Sequence, residues 1–215
     1  MGIFGNIFNK KKRLEPVDLS ILKTDLHSHL IPGIDDGSKS MDDTLNMLRK
    51  FSELGYKKVI TTPHIMSDFY RNNPEIILGG LEKVRIAKEE AGIQIEIEAA
   101  AEYYLDEYFR ELIEKNELLT FGDNHVLFEL SFAEEPPRVK DTIFSLVTEG
   151  YHPIMAHIER YPYYIEKWDV LEDFKDRGCL LQLNINSLSG HYGPHIKKWA
   201  AAVIDRGIID IVGLY

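Results

Sequence analysis

From residue 20 onward, apolar residues recur with two alternating periods, one typical of strands and the other typical of helices. The clearest strand pattern lies at 93–99, where apolar residues at every second position alternate with Gln and Glu. The clearest helix begins after Ser40, a typical N-cap, and its apolar positions repeat at helical spacing until Gly55 ends it. These patterns therefore predict repeated strand–helix units without a linker or low-complexity insert.

These patterns predict seven strands with helices between them. We predict strands at 23–26, 58–62, 93–99, 126–130, 153–156, 180–183 and 209–212. We predict helices at 41–55, 74–91, 106–115, 138–150, 165–177 and 195–207. Apolar strands that alternate with helices indicate a parallel sheet with helices packed on its faces.

The ionisable side chains favour a closed barrel over an open doubly wound sheet. Successive strands end at or near side chains that can take part in chemistry, namely His27, His29, His64, Glu102, Glu129, His157, Asn184 and Asn186. In a (β/α) barrel all these strand ends meet at one face, where active sites are built. We therefore predict an α/β fold, a distorted (β/α)7 barrel whose last βα unit is incomplete.

Composition narrows the class of protein. The 215 residues, 44% of them apolar, suffice for one domain with a buried core. A formal net charge of −10, with no basic block beyond the first residues, argues against nucleic-acid binding, and no run is long enough to span a membrane. The single cysteine, Cys179, excludes an internal disulfide and suits the cytoplasm. Ile185 stands where a C-x5-R phosphatase needs Arg, so Cys179 is predicted to be a core residue.

Residues 1–19 are predicted to form a flexible basic leader, and residues 20–215 to form the domain. The leader has apolar residues at positions 3, 4, 7 and 8, followed by the basic run 10–13, and it lacks the apolar core of a signal peptide. Two interpretations stay open for it: a frayed N-terminal segment, or a weak contact with an anionic membrane surface.

Two histidines separated by one residue are the first candidate metal ligands in the sequence. On an extended strand His27 and His29 point to the same side, so their ring nitrogens converge. Mixed imidazole and carboxylate ligands suit manganese, iron or zinc in an open catalytic site, whereas structural zinc favours cysteines. Asp36 has a simpler explanation as a turn residue. Glu102 and Glu129 are harder to explain that way, because a carboxylate among apolar neighbours needs a cation or a proton.

Six short motifs are distributed over the chain. They read D-L-H-S-H at 25–29, P-G-I-D-D-G at 32–37, T-P-H at 62–64, A-E-Y-Y at 101–104, F-E-L-S at 128–131 and A-H-I-E-R-Y at 156–161. In combination they resemble the polymerase-and-histidinol-phosphatase (PHP) superfamily. Within it, the sequence is most similar to the bacterial manganese-dependent tyrosine phosphatases of capsular and exopolysaccharide synthesis.

This resemblance implies a pocket with up to three manganese ions, with iron or zinc as alternatives. The implied ligands are His27, His29 and Glu102 for the first ion, Glu102, Glu129 and His157 for the second, and Asp36 and His64 for the third. The resemblance also implies that Arg160 clamps the phosphate oxygens, which a guanidinium fits in a bidentate way. Tyr103, Tyr104 and Tyr161 would either line a slot for the substrate's aromatic ring or pack in the core.

The sequence departs from the family pattern at one place. Family members continue after the seventh strand with an Asp-x-His motif that completes the first and third ion sites, whereas this sequence stops at Tyr215. We therefore expect the second ion to be retained best, the outer two to be loose or absent, and turnover to be weak.

The leading hypothesis is metal-dependent hydrolysis of phosphotyrosine on a protein. The resemblance implies that this partner is the tail of a bacterial tyrosine kinase that regulates capsular or exopolysaccharide synthesis. Two alternatives stay open. The chain could hydrolyse a small phosphate ester such as histidinol phosphate, or it could bind phosphopeptides without turning them over. The sequence predicts no oligomeric state.

Overall fold

Nine short strands and seven α-helices make up residues 17–214, which are the residues that the computed structural model describes. The strands are β1 (Thr24–Asp25), β2 (Lys58–Thr61), β3 (His64–Ile65), β4 (Glu96–Ala99), β5 (Glu102–Tyr104), β6 (His125–Glu129), β7 (His152–Met155), β8 (Leu180–Asn184) and β9 (Ile211–Gly213). The helices are α1 (Met41–Glu53), α2 (Pro74–Glu90), α3 (Glu107–Lys115), α4 (Val139–Thr148), α5 (Trp168–Asp176), α6 (Ile185–Ser189) and α7 (Pro194–Asp205). Residues 1–16 of the predicted leader, and Tyr215, lie outside the described residues.

Polar N-caps set where three of the helices begin. The side chains of Ser40, Asn73 and Asp106 accept backbone hydrogen bonds from the first turns of α1, α2 and α3, at 3.2, 2.9 and 2.8 Å. Each bond satisfies an N–H that has no partner within the helix. Pro74 opens α2, where a missing N–H has no consequence. These helices therefore begin within one residue of their predicted starts.

All strand ladders are parallel, and they form two sheets. One has the order β1-β2-β4 and the other the order β3-β5-β6-β7-β8-β9. The stretches that begin with the predicted second and third strands are thus each divided between the two sheets. β2 and β4 lie within the predicted bounds, whereas β3 and β5, which follow them, were not predicted. Pro63 lies at the first division and has no N–H to donate to a ladder. Single backbone bonds cross the division, from Ala100 N to Thr61 O (2.9 Å) and from Glu102 N to Pro63 O (3.1 Å), so the predicted strand order is preserved.

Two predicted elements start three residues later than predicted, and one short helix was missed. The third strand starts at Glu96 rather than at residue 93, because the Ile93 N–H bonds to Lys88 O at the end of α2. The predicted helix at 165–177 starts at Trp168, because a 3-10 turn at Pro162–Tyr164 precedes it. The short helix α6 follows β8 directly, and it was not predicted.

The outer strands β1 and β9 approach each other, but no ladder joins them in the part of the chain that the structure describes. Instead, the Leu214 N–H donates to Asp25 Oδ1 at 2.9 Å. The predicted α/β arrangement with sequential parallel strands is confirmed, and its barrel is open at this seam.

The helices cover the sheets with buried apolar side chains. Leu48, Ile77, Ile143 and Phe174 come from four different helices, and all are fully buried. Complete burial of such a side chain stabilises the fold by about 1.5–3 kcal/mol. Among the described helices, none is both long enough and apolar enough to cross a bilayer.

Cys179 lies in this core, as predicted, and its burial can be tested by thiol labelling. Its side chain is 1% exposed, and burial raises the pKa of its thiol. Because the thiolate is the reactive form, we expect the native protein not to react with Ellman's reagent, whereas the denatured protein should release one equivalent of chromophore. Cys179→Ala should leave any hydrolytic activity unchanged. Rapid labelling of the native thiol would contradict this assignment.

Candidate metal centre

Four imidazoles surround one fully buried carboxylate, that of Glu102. Its Oε2 lies 3.1 Å from His27 Nε2, 3.2 Å from His29 Nε2 and 3.3 Å from His64 Nδ1, while its Oε1 lies 3.1 Å from His157 Nε2. The four histidines come from the irregular segment after β1, from β3 and from the turn after β7. The predicted convergence of strand ends therefore occurs, although His64 and Glu102 lie within short strands rather than after them.

Strand register places His64, Glu102 and Glu129 on one face of the sheet. His64 is paired with Glu102 between β3 and β5, and Tyr104 is paired with Glu129 between β5 and β6. Glu102 and Tyr104 are two residues apart, so they point to the same side, and the residue paired with each shares that side. As a result, Glu129 Oε1 lies 3.2 Å from His64 Nδ1.

His157 reaches the cluster from a turn rather than from a strand. Its backbone is left-handed, with φ 33° and ψ 54°, a conformation that is uncommon for residues other than glycine. The backbone N–H of His157 donates to Gln182 Oε1 at 2.7 Å, and its Nε2 lies 3.6 Å from Glu129 Oε2. Strained backbone of this kind is often found at functional sites.

The D-D-G turn adds two carboxylates on the side of His29 and His64. Asp35 Oδ2 lies 2.8 Å from His29 Nδ1 and accepts a hydrogen bond from the His64 N–H at 3.1 Å. Asp36 is more exposed, with Oδ1 3.7 Å from His29 Nδ1 and 3.5 Å from His64 Nε2. A Cβ at Gly37 would lie 2.3 Å from His29 Cβ, so this close packing requires glycine.

The environment separates the proton affinities of the two central acids. Burial by itself would raise the pKa of Glu102, but the imidazoles of His27, His64 and His157 lower that pKa well below its ordinary value. Burial, together with the charge of Glu102, raises the pKa of Glu129 well above its ordinary value. Burial lowers the pKa of His157 to about 4. Two buried acids and a neutral imidazole thus share one small volume, an arrangement that a divalent cation would stabilise.

The donor set fits a divalent cation. Within residues 17–214, the ion-pair partners of Glu102 and Glu129 are imidazoles, with no lysine or arginine among them. Ligand-type atoms within 4.8 Å of one another form three groups: His27, His29 and Glu102; His29, Asp36 and His64; and His64, Glu102 and Glu129. Neutral imidazole with carboxylate suits manganese, iron or zinc. All seven predicted ligand residues lie in this one cluster, and their binding of metal stays a prediction.

Arg160 lies beside the cluster, between two aromatic rings. Its guanidinium carbon is 4.4 Å from the centre of the Phe132 ring and 4.5 Å from the centre of the Tyr192 ring. Burial raises the pKa of Glu129, and the positive charge of Arg160 opposes that effect. Burial lowers the pKa of His157, and the charge of Arg160 lowers it further. Such a guanidinium has its orientation restricted by the two rings.

Tyr103 and Tyr161 do not line a slot for a substrate's aromatic ring, which was one of the two interpretations for them. Both side chains are fully buried, and their phenol oxygens accept backbone hydrogen bonds from Leu119 at 2.7 Å and Leu130 at 2.9 Å. They are therefore core residues. Tyr104 is half-buried.

Sequence reasoning missed four residues that contact the cluster or Arg160. Gln182 carried a signal, because it is a polar residue within the apolar run 180–183. Phe132 lies just beyond the end of β6, so its position near the site could have been inferred. Tyr70, whose ring stacks 5.4 Å from that of His64, and Tyr192 lie in loops, where no periodic pattern marks them.

A parallel α/β fold with histidines and carboxylates gathered at its strand ends belongs to the class in which metal-dependent hydrolases are built. Residues 23–214 match the family described as "Capsular polysaccharide synthesis, CpsB/CapC". The chain is therefore a member of the CpsB/CapC family, and the resemblance seen in its motifs is confirmed.

Known relatives of the chain include two curated tyrosine-protein phosphatases. It is 26% identical over 191 residues to YwqE of Bacillus subtilis, covering 87% of this chain and 74% of YwqE. It is 26% identical over 194 residues to CpsB of Streptococcus pneumoniae, covering 87% of this chain and 80% of CpsB. The fold is also similar to a solved structure, with a TM-score of 0.82 and 25% identity, covering 88% of this chain and 77% of that one. That structure is described as one of "YwqE from Bacillus subtilis and CpsB from Streptococcus pneumoniae, unique metal-dependent tyrosine phosphatases".

The raised pKa of Glu129 predicts how pH affects stability after metal has been removed with a chelator. The unfolded carboxyl loses its proton near its ordinary pKa of 4.5, whereas the folded one keeps it to higher pH. Rising pH above this value therefore favours the unfolded state, by about 1.4 kcal/mol for each tenfold difference in proton affinity. Glu129→Gln has no such proton to lose. The urea unfolding midpoint of this variant, relative to that of wild type, should rise as the pH increases above 4.5. A difference that stays constant with pH would contradict the assignment.

Proposed function

We propose that this chain hydrolyses phosphotyrosine on a protein in a reaction that depends on divalent metal ions. Manganese is the proposed metal, with iron or zinc as alternatives. The observation that carries the proposal is the buried cluster around Glu102 with the Arg160 guanidinium beside it. Support comes from the relatives named tyrosine-protein phosphatases and from the similar structure described as metal-dependent.

The residues that would hold the ions are His27, His29, Asp36, His64, Glu102, Glu129 and His157. When bound, divalent cations supply Lewis acidity and lower the pKa of water towards neutrality. Glu102 would serve more than one ion, because its two oxygens face different imidazoles: Oε2 faces that of His27, and Oε1 faces that of His157. Asp35 would hold the His29 ring in place, as carboxylates do behind metal-binding histidines.

Arg160 would bind the phosphate and balance its charge. Its planar fork of N–H donors matches phosphate oxygens, and the rings of Phe132 and Tyr192 hold the guanidinium plane. Phe132 is 41% exposed and its ring centre is 5.4 Å from that of His157, so part of this apolar side chain is accessible beside the cluster. An aromatic phosphate ester would thus find a phosphate-binding group and an apolar surface together.

The proposed partner is the tail of a bacterial tyrosine kinase that regulates capsular or exopolysaccharide synthesis. The family description names capsular polysaccharide synthesis, and the relatives are named tyrosine-protein phosphatases. We place the reaction in the cytoplasm, where a single buried free cysteine is typical.

The proposed activity is tested with a phosphotyrosine peptide and histidinol phosphate, each assayed with Mn²⁺ and with a chelator. We expect metal-dependent phosphate release with the peptide preferred, and kcat of Glu102→Gln lower by at least about 10²-fold. Glu90→Gln, an exposed change on α2, is the matched control and should behave as wild type. A preference for histidinol phosphate would contradict the substrate assignment. Peptide binding without phosphate release at any metal concentration would contradict the proposed enzymatic activity.

The role of Arg160 predicts a separation of KM from kcat. Arg160→Lys keeps the charge but loses the fork, so KM for the phosphopeptide should rise by about tenfold or more. Phe132→Leu removes one ring from the guanidinium and should raise KM by about three- to tenfold with a smaller change in kcat. Arg177→Lys at the exposed end of α5 is the control. An unchanged KM in both site variants would exclude Arg160 as the phosphate-binding group.

A further inference from the structure

Gln182 is a fully buried amide in the middle of β8, and it contacts two of the proposed ligands. Its Oε1 lies 2.7 Å from the backbone nitrogen of His157 and 3.2 Å from His27 Nδ1. Its Nε2 lies 2.9 Å from Asn184 Oδ1. A buried amide with partners at both ends is held in one orientation, since breaking these bonds leaves polar groups unsatisfied.

The backbone of His157 determines which end of the amide is the oxygen. A backbone N–H can only donate, so the Gln182 atom 2.7 Å away must be the acceptor, Oε1. The amide nitrogen therefore faces Asn184, where an oxygen accepts from it. This orientation follows from the donor and acceptor inventory alone.

The same oxygen fixes the proton on His27. Gln182 Oε1 carries no hydrogen, so the bond to His27 Nδ1 requires that this ring nitrogen be the donor. With a proton held at Nδ1, Nε2 is the ring nitrogen left to meet a cation, and without one it faces Glu102 Oε2 at 3.1 Å. We infer that Gln182 is a positioning residue that selects the Nδ1–H tautomer of His27 and so presents Nε2 as a metal ligand. The metal part of this inference rests on the proposed function.

Strand β9 keeps the His27–Gln182 pair in place. A Cβ at Gly213 would lie 2.8 Å from His27 Cβ and 2.9 Å from Gln182 Nε2, both shorter than real contacts allow. Because only glycine fits there, the backbone of β9 packs directly against the pair. Rotation of the imidazole or the amide away from the other is thereby restricted.

The Nδ1 proton is measured directly on protein labelled with ¹⁵N-histidine and freed of metal. We expect the long-range ¹H–¹⁵N spectrum to show His27 protonated at Nδ1, with the signal assigned from its loss in His27→Asn. In Gln182→Met, which keeps the length but removes the acceptor, the fraction of rings protonated at Nδ1 should fall. A wild-type ring without a proton at Nδ1, or a pattern unchanged in Gln182→Met, would overturn the inference.

Manganese affinity gives a second measurement, from the EPR signal of free Mn²⁺ in titrations of the metal-free protein. We expect Gln182→Met to weaken the affinity of at least one ion by about 10–100-fold, the usual effect of losing a group behind a ligand. Gln182→Glu keeps an acceptor for both N–H groups and should recover most of the affinity. Thr142→Val removes a buried hydroxyl from α4, away from the cluster, and is the control.

The outcomes separate this inference from the proposed function. If wild type binds no Mn²⁺, the metal-dependent function fails, while the NMR result still decides whether His27 Nδ1 carries the proton. If wild type binds Mn²⁺ and Gln182→Met binds it equally well, the role of Gln182 fails and the proposed function stands. If Gln182→Met does not fold, Gln182→Asn, which withdraws the acceptor by one methylene, gives the same comparison.

Discussion

A carboxylate that is fully removed from water stays ionised only if other groups replace its solvation, and Glu102 meets this constraint with four imidazoles. These rings come from the irregular segment after β1, from β3 and from the turn after β7. Elements that are far apart in sequence are therefore held at one point by the same acid. Loss of either side of such a buried pair leaves an uncompensated polar group, which costs several kcal/mol. The cluster is thus a tertiary restraint as well as a candidate site.

A second set of side chains determines what the cluster can do. Asp35 stands behind His29, and Gln182 stands behind His27, so two adjacent rings of the D-L-H-S-H motif are oriented by groups of different charge. On the open side, Arg160 brings the positive charge that a phosphate needs. The net charge of −10 is therefore compatible with an anionic substrate, because local cations outweigh distant surface acids.

Much of this arrangement followed from the sequence, for physical reasons. Period-two and helical patterns located the strand–helix units, and parallel strands necessarily carry their C-terminal side chains to one face, so His27, Glu102 and His157 were expected to meet. The division of the sheet at Pro63 depends on pairing between strands, which no local pattern encodes. Tyr192 depends on the path of a loop, and short-range sequence patterns contain little information about such paths.

The seam between β1 and β9 is held by contacts to residues of the candidate site and its motif. No ladder joins these two strands among the described residues, so main-chain pairing does not hold them together. What holds them is the Leu214 N–H donating to the buried Asp25 and the packing of Gly213 against His27 and Gln182. The contacts at the seam are thus made to the motif that carries the first two histidines. A change that loosens β9 would disturb His27 before it disturbed the apolar core, and a change at His27 would in turn loosen the last strand.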